Sequence, residues 1–217
     1  MSRVEWCAEL GSNHGGSKAL AYELVRQAVL SGSNLVKFQL GWNSEAQGKY
    51  CDSYDERRNI DSWAGEIDKW CKDFGVEWFA SIWSTEGLEV ARSVGMKRYK
   101  IAHQLNDNKL IDAIHEVANG NVVHSSTIFD QMGGEFAFTT DEYPTYFPNL
   151  PQRLRRYSSH AHGIGDALIA VSRGAEYIEK HFALSNYAGF PKDAAFSLTP
   201  PEFADMVKYG NEIARLL

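Results

Sequence analysis

Tyr177-Ile178-Glu179-Lys180-His181-Phe182 has the length and content of a β-strand. A helically spaced apolar run at 165–173 separates it from a second strand-like stretch, Tyr157-Ser158-Ser159-His160. Strand, helix and strand in this order form a parallel unit, because parallel strands need a crossover connection and such crossovers are right-handed. A strand presents alternate residues to opposite faces, so Glu179 and His181 share one face, as do Ser158 and His160. Two neighbouring strands then aim two imidazoles and two polar companions into one space.

The same alternation runs along the rest of the chain. Strand-like stretches lie at 4–11, 34–40, 77–82, 98–102, 121–126, 135–140, 155–160 and 175–182, with helical apolar spacing at 18–30, 62–74, 86–94, 108–118, 165–173 and 200–217. This order predicts an α/β fold of parallel strands, and eight strands is the count that closes a barrel. Neither a GxGxxG nor a Walker sequence follows the first strand, so nothing supports the competing doubly wound sheet. The expected architecture is a compact (β/α)8 TIM barrel, below the typical size of about 250 residues. Its economies fall at 127–134 and 143–154, which are too short or too proline-rich for full helices. The polar and aromatic stretch 43–59 reads as a long loop after the second strand, either a lid or a solvated insertion.

With 217 residues and 44% hydrophobic content, the chain fits one domain spanning 1–217. Its apolar runs fall short of the roughly 20 residues that a membrane helix requires, and the first residues enter a strand instead of a signal peptide's apolar stretch, so the expected location is cytoplasmic. Cys7, Cys51 and Cys71 form no CxxC pair and are read as reduced thiols. A net charge of −6 argues against a nucleic-acid surface, which needs a broad basic patch. It leaves room for an anionic small molecule, since a few converging lysines decide that locally.

Candidate functional residues cluster at the carboxyl ends of the strands, the end at which barrels carry their chemistry. They are Glu9, with Asn13 and His14 beyond it, Lys37 and Gln39, Lys100, Ser125, Ser158 and His160, and Glu179 and His181. An unpaired buried hydroxyl or amide costs roughly 1–3 kcal/mol and a charge more, so fold stability alone does not favour these choices. Two neutral imidazoles suit a divalent metal such as manganese, iron or zinc that completes its shell with water or substrate oxygens. Lys37 and Lys100 offer positive charge to a phosphate or carboxylate, Ser125 and Ser158 offer hydroxyl donors, and Glu9 and Glu179 are the acid–base candidates.

These segments resemble the catalytic barrel of the sialic acid synthase family through nearly the whole chain. The resemblance is carried by Ala8-Glu9-Leu10-Gly11-Ser12-Asn13-His14, Val36-Lys37-Phe38-Gln39, Tyr99-Lys100-Ile101-Ala102, Glu142-Tyr143-Pro144-Thr145, Tyr157-Ser158-Ser159-His160, Ile178-Glu179-Lys180-His181-Phe182 and Asp193-Ala194-Ala195-Phe196-Ser197-Leu198-Thr199-Pro200. It implies condensation of phosphoenolpyruvate with an aldose to give a nonulosonic acid. His160 and His181 would bind the metal, manganese first with magnesium as an alternative. Lys37, Lys100, Ser125 and Ser158 would hold phosphoenolpyruvate, and Gln39, Tyr143 and Asp193 would contact the sugar.

Several positions depart from the family pattern. His103 stands where a serine is usual, Gln104-Leu105-Asn106 lacks the acidic residue, Ser81-Ile82-Trp83 replaces Ser-Thr-Pro, Ser125-Ser126-Thr127 replaces Ser-Thr-Gly, and Asp141 precedes Tyr143. The sequence stops at Leu217, directly after the last helix and without the family's antifreeze-like domain. The expectation is therefore a single catalytic barrel, with a homodimer as one assembly, and with either a separate chain supplying that domain's role or an acceptor other than an ordinary N-acetylated hexose. A barrel that has lost catalysis and binds a sugar phosphate or an assembly partner, and an aldolase using Lys37 or Lys100 as a Schiff base, are the alternative readings.

Overall fold

The computed structural model describes residues 4–42, 59–127, 136–139, 150–186 and 192–217. Nearly all of the 43–59 loop, most of 127–134 and 143–154, Asp141, Tyr143 and Cys51 lie outside the described residues. The elements in chain order are β1 (Glu5–Glu9), α1 (Lys18–Leu30), β2 (Leu35–Leu40), α2 (Asn59–Phe74), β3 (Glu77–Ile82), α3 (Thr85–Ser93), β4 (Tyr99–Ile101), α4 (Asn108–Ala118), β5 (Val122–Ser126), β6 (Phe136–Phe138), β7 (Arg156–Ser159), α5 (Gly165–Ser172), β8 (Tyr177–His181), a 3-10 turn (Lys192–Phe196) and α6 (Pro200–Ala214). All strand pairs are parallel, and β8 returns to pair with β1, so the sheet closes in sequence order as a (β/α)8 barrel.

Local chemistry fixes where the helices begin. The Ser17 side chain accepts the Leu20 N–H at the start of α1, Asp107 accepts from Lys109 and Leu110 at the start of α4, and Thr199 with Glu202 forms a capping box before α6. Asn119 ends α4 in the left-handed region at φ 47°. Most strands are assigned a residue or two shorter than the alternation suggests, although ladder-type hydrogen bonds run on past their ends, as from Leu10 N–H to the Lys37 carbonyl, before the chain turns away. Gly11, at φ +45°, makes that turn after β1.

Alternation sorts each strand into a helix-facing and a barrel-facing set. Trp6, Val36, Phe38, Trp78 and Ile178 pack under the helices, all of them buried. A Cβ on Gly210 of α6 would lie 2.2 Å from Trp6, so that position has room only for glycine, and Trp6 Nε1 donates to Asn211 on the same helix. The opposite faces meet along the barrel axis. At the amino-terminal end Arg98 bridges Glu5 at 2.8 Å and Glu77 at 2.9 Å. Among the described residues, no helix is long and apolar enough to cross a membrane.

Candidate active site at the carboxyl ends of the strands

Strand register alone gathers most of the sequence-derived site. Glu9 pairs with Lys37 on one side and His181 on the other, Lys100 pairs with Ser81, and Ser158 pairs with Glu179. Partners in a parallel ladder point the same way, so these side chains enter the barrel together. Ser125 shares this face two residues beyond Val123, the partner of Lys100, and is buried.

Two lysines and two glutamates form the centre. Lys37 and Lys100 are 3% and 2% exposed, and both are ion-paired. Lys37 contacts Glu9 closely, lies 3.5 Å from Glu179 Oε1 and donates to Ser81 Oγ at 2.9 Å. Lys100 donates to Glu179 Oε2 at 2.9 Å. Ser158 donates to Glu179 Oε1 at 2.9 Å, and the Tyr177 hydroxyl donates to Oε2. The sequence presents these lysines as cations for a ligand. Inside the barrel their charge is already opposed by carboxylates.

The two glutamates differ electrically. Burial works to raise Glu179, but Lys100 and Lys37 outweigh it and, with the Tyr177 hydroxyl, hold its carboxyl well below the usual carboxylate range. Among the described residues, the cation beside Glu9 is Lys37. Burial dominates there, and with the Glu179 charge it pushes the Glu9 carboxyl up to about 7 against the pull of Lys37. Burial would lower Lys37, but Glu179 and Glu9 keep it above the ordinary lysine range. For Lys100, burial prevails over Glu179 and the pKa falls.

The imidazoles sit beside this centre. His160 follows β7 immediately, His181 ends β8, and their ring centroids are 5.2 Å apart. Burial, reinforced by His181, depresses His160 well below its ordinary value. Burial also takes His181 down to about 4, although Asp193 favours its charged form. Both rings are thus neutral at neutral pH, the state in which imidazole is a metal ligand. Among the described residues, no group of three His, Cys, Asp or Glu side chains is placed to hold a metal, and a cation bound at this pair would take its other ligands from water or substrate oxygens.

The segment after β8 closes over the pair. Leu198 N–H donates to the His181 carbonyl, and Leu198 bridges to Phe182, which brings the 3-10 turn above the strand ends. Phe196 packs edge-on against His181 at 4.9 Å and against His160 at 6.0 Å. Asp193 accepts from Ser12 at 3.0 Å, and Asn13 donates to both Ser197 and the Phe182 carbonyl at 2.9 Å, tying the turn after β1 to this segment. A Cβ on Gly11 would meet Glu9 Oε1 at 3.0 Å, Asp193 at 3.2 Å and Gln39 at 3.7 Å, which places those three side chains around one point. Tyr143 lies outside the described residues.

His14 is the candidate that the fold moves elsewhere. It packs against Trp63 of α2 and Phe38 on the helix side of β2, because the turn at Gly11 carries the chain outward after Glu9. Sequence reading missed Tyr177 and Phe196, and it noted Ser81 only as a departure from a family pattern. Period-two spacing from Glu179 to Tyr177 and from Phe79 to Ser81 was the available signal.

A closed parallel barrel with an ionic centre and an imidazole pair at the carboxyl ends of its strands is a (β/α)8 barrel with its candidate site where such barrels carry their chemistry. The chain belongs to the NeuB family, whose profile matches residues 37–133 and 152–217. It is 25% identical to a pseudaminic acid synthase of Campylobacter jejuni, over 92% of this chain and 71% of that protein. It is 23% identical to the N-acetylneuraminate-9-phosphate synthase of Homo sapiens, over 97% of this chain and 70% of the other. The crystal structure of the N-acetylneuraminic acid synthetase of Leptospira borgpetersenii in complex with citrate has the same fold. It superposes with a TM-score of 0.78 at 24% identity, over 99% of this chain and 85% of that one. The barrel expected from the sequence is thus the barrel observed, and the family resemblance holds.

Proposed function

We propose that the chain is a metal-dependent synthase of carbohydrate biosynthesis that joins phosphoenolpyruvate to an aldose. The observation that carries this reading is the adjacency of the Lys37–Lys100–Glu9–Glu179 centre to the neutral His160–His181 pair, in a family whose relatives include a pseudaminic acid synthase and an N-acetylneuraminate-9-phosphate synthase. Lys37 and Lys100, with Ser125 and Ser158, hold the phosphate and carboxylate of phosphoenolpyruvate, which displaces part of their present bonding to Glu9 and Glu179. Gln39, Asp193 and Tyr143 contact the sugar.

His160 and His181 would hold a divalent cation, manganese or magnesium, and when bound it supplies Lewis-acid polarisation of the acceptor's aldehyde. The chain's own groups manage charge and protons. The methylene carbon of phosphoenolpyruvate bonds to the aldehyde carbon and the aldehyde oxygen takes a proton. Water then adds to the former enol carbon and gives up one proton, and the carbon–oxygen bond to phosphate breaks as the new hydroxyl collapses to the keto group, its proton leaving with the phosphate. Glu9, with its carboxyl at about 7, exchanges protons at neutral pH and is the group assigned to these transfers. Glu179 stays ionised. It orients both lysines and Ser158, and its fixed charge favours the cationic character that develops at the enol carbon.

Incubation with Mn2+, phosphoenolpyruvate and a panel of N-acetylated aldoses and their phosphates is expected to release inorganic phosphate with at least one acceptor. No release from any acceptor, together with no thermal shift by phosphoenolpyruvate, would contradict the proposal. The lowered pKa of Lys100 gives the Schiff-base reading its one specific support, and borohydride trapping with a carbonyl substrate separates the two, since the synthase forms no covalent adduct.

A further inference from the structure

A second buried ionic cluster lies on the outer side of β7 and β8, against α5, and the proposed chemistry does not use it. Lys180 is 1% exposed, and its ammonium donates to Asp166 Oδ1 at 3.2 Å, Ser159 Oγ at 3.0 Å and the Ala161 carbonyl at 2.6 Å. These three acceptors use its full donor capacity. Asp166, in the first turn of α5, also accepts at Oδ2 from the Tyr157 and Ser159 hydroxyls. Ser159 Oγ in turn accepts the Ala161 N–H at 3.1 Å.

Stability is a poor reason for such a pair. Desolvation of a buried lysine and aspartate offsets most of their attraction, and a well-packed apolar pair of similar volume often does as well. The cluster's position suggests a different role. The β7–β8 ladder ends at Ser159 and Lys180, so strand pairing does not reach His160. Beyond that last rung, where the backbone makes a single β-bridge at Ala161, Lys180 adds side-chain ties of its own. It binds Ser159 and Ala161, the residues on either side of His160, and it directly precedes His181. One ammonium therefore ties both flanks of one imidazole to the strand that carries the other, from the face opposite the rings.

We infer that Lys180, with Ser159 and Asp166, is a positioning brace that sets the spacing of His160 and His181 for divalent-cation binding. The inference rests on the proposed reading of the two histidines as metal ligands. Groups hydrogen-bonded directly to metal ligands typically change affinity by about 10–100-fold when removed, and the brace, which acts through the residues flanking the rings, is expected at the lower end of that range.

The test is titration of the full chain with Mn2+ alone, followed by the electron paramagnetic resonance signal of the free ion, alongside thermal unfolding. Lys180→Met and Ser159→Ala are each expected to weaken Mn2+ binding about tenfold or more. Ile114→Ala, on the buried face of α4 nearly across the barrel, lowers the unfolding temperature but leaves Mn2+ affinity unchanged. If Lys180→Met fails to fold, Ser159→Ala carries the test, since it removes only one hydroxyl. Wild-type Mn2+ affinity in the brace variants, with loss of binding in His181→Ala, overturns the brace and leaves the metal reading standing. No binding by the wild type, or undiminished binding by His181→Ala, overturns the metal reading, and the brace falls with it.

Discussion

Glu9 and Glu179 carry the same carboxyl group into opposite electrical settings. Glu179 answers to two lysines and two hydroxyls and remains ionised, whereas Glu9 has Lys37 beside it among the described residues and is pushed up to about 7 by burial. Residues that exchange protons in catalysis work best with a pKa near the operating pH. The pH profile of kcat/KM, followed by phosphate release, should therefore show an inflection near 7 that belongs to Glu9. Glu9→Gln keeps the volume and removes the proton exchange. It is expected to lower kcat by about 100-fold or more and to flatten that inflection. An unchanged profile in the variant would remove Glu9 from the proton transfers.

At the level of elements, the strands and helices were legible because each writes its own period into the sequence. The 18–30 and 108–118 helices match α1 and α4 end to end, and β3 matches 77–82. Contacts between elements were less legible. Nothing local to Lys180 distinguishes it from a solvated lysine until α5 covers it with Asp166, and nothing local to Lys37 or Lys100 announces Glu9 and Glu179, which arrive through the register of other strands. His14 was grouped with the pocket by its closeness to Glu9, and the left-handed turn at Gly11 sends it to the helix layer. The packing of α6 on β1 gives a direct test at this scale. Gly210→Ala puts a methyl into the Trp6 indole, and it is expected to destabilise the fold by about 1–3 kcal/mol, seen as a lower unfolding temperature. An unchanged unfolding temperature would mean that α6 does not seat on Trp6.

For the whole molecule, the buried titrating groups set how stability varies with pH. His160 and His181 have folded pKa values below the ordinary histidine value, so their contribution is complete above about 6.5 and is lost as pH falls toward 4. Glu9 acts in the opposite sense. Its folded pKa is raised, so its contribution is complete below about 4.5 and is lost as pH rises through 7. Two histidines outweigh one glutamate between these limits, and the net slope is a gain of order 1 kcal/mol per pH unit from about 4.5 to 6.5, measurable by urea unfolding across that range. Below 4.5 the depressed Glu179 adds to the loss as it protonates. A flat profile would contradict the burial of both imidazoles. The central claim is that the lysine pair and the histidine pair form one site, and a crystal soaked with Mn2+ and phosphoenolpyruvate tests it most directly. The account predicts metal density against both His160 and His181, with the phosphoenolpyruvate anion held by Lys37 and Lys100 beside it. Metal bound away from the two histidines, or phosphoenolpyruvate bound away from both lysines, would contradict it.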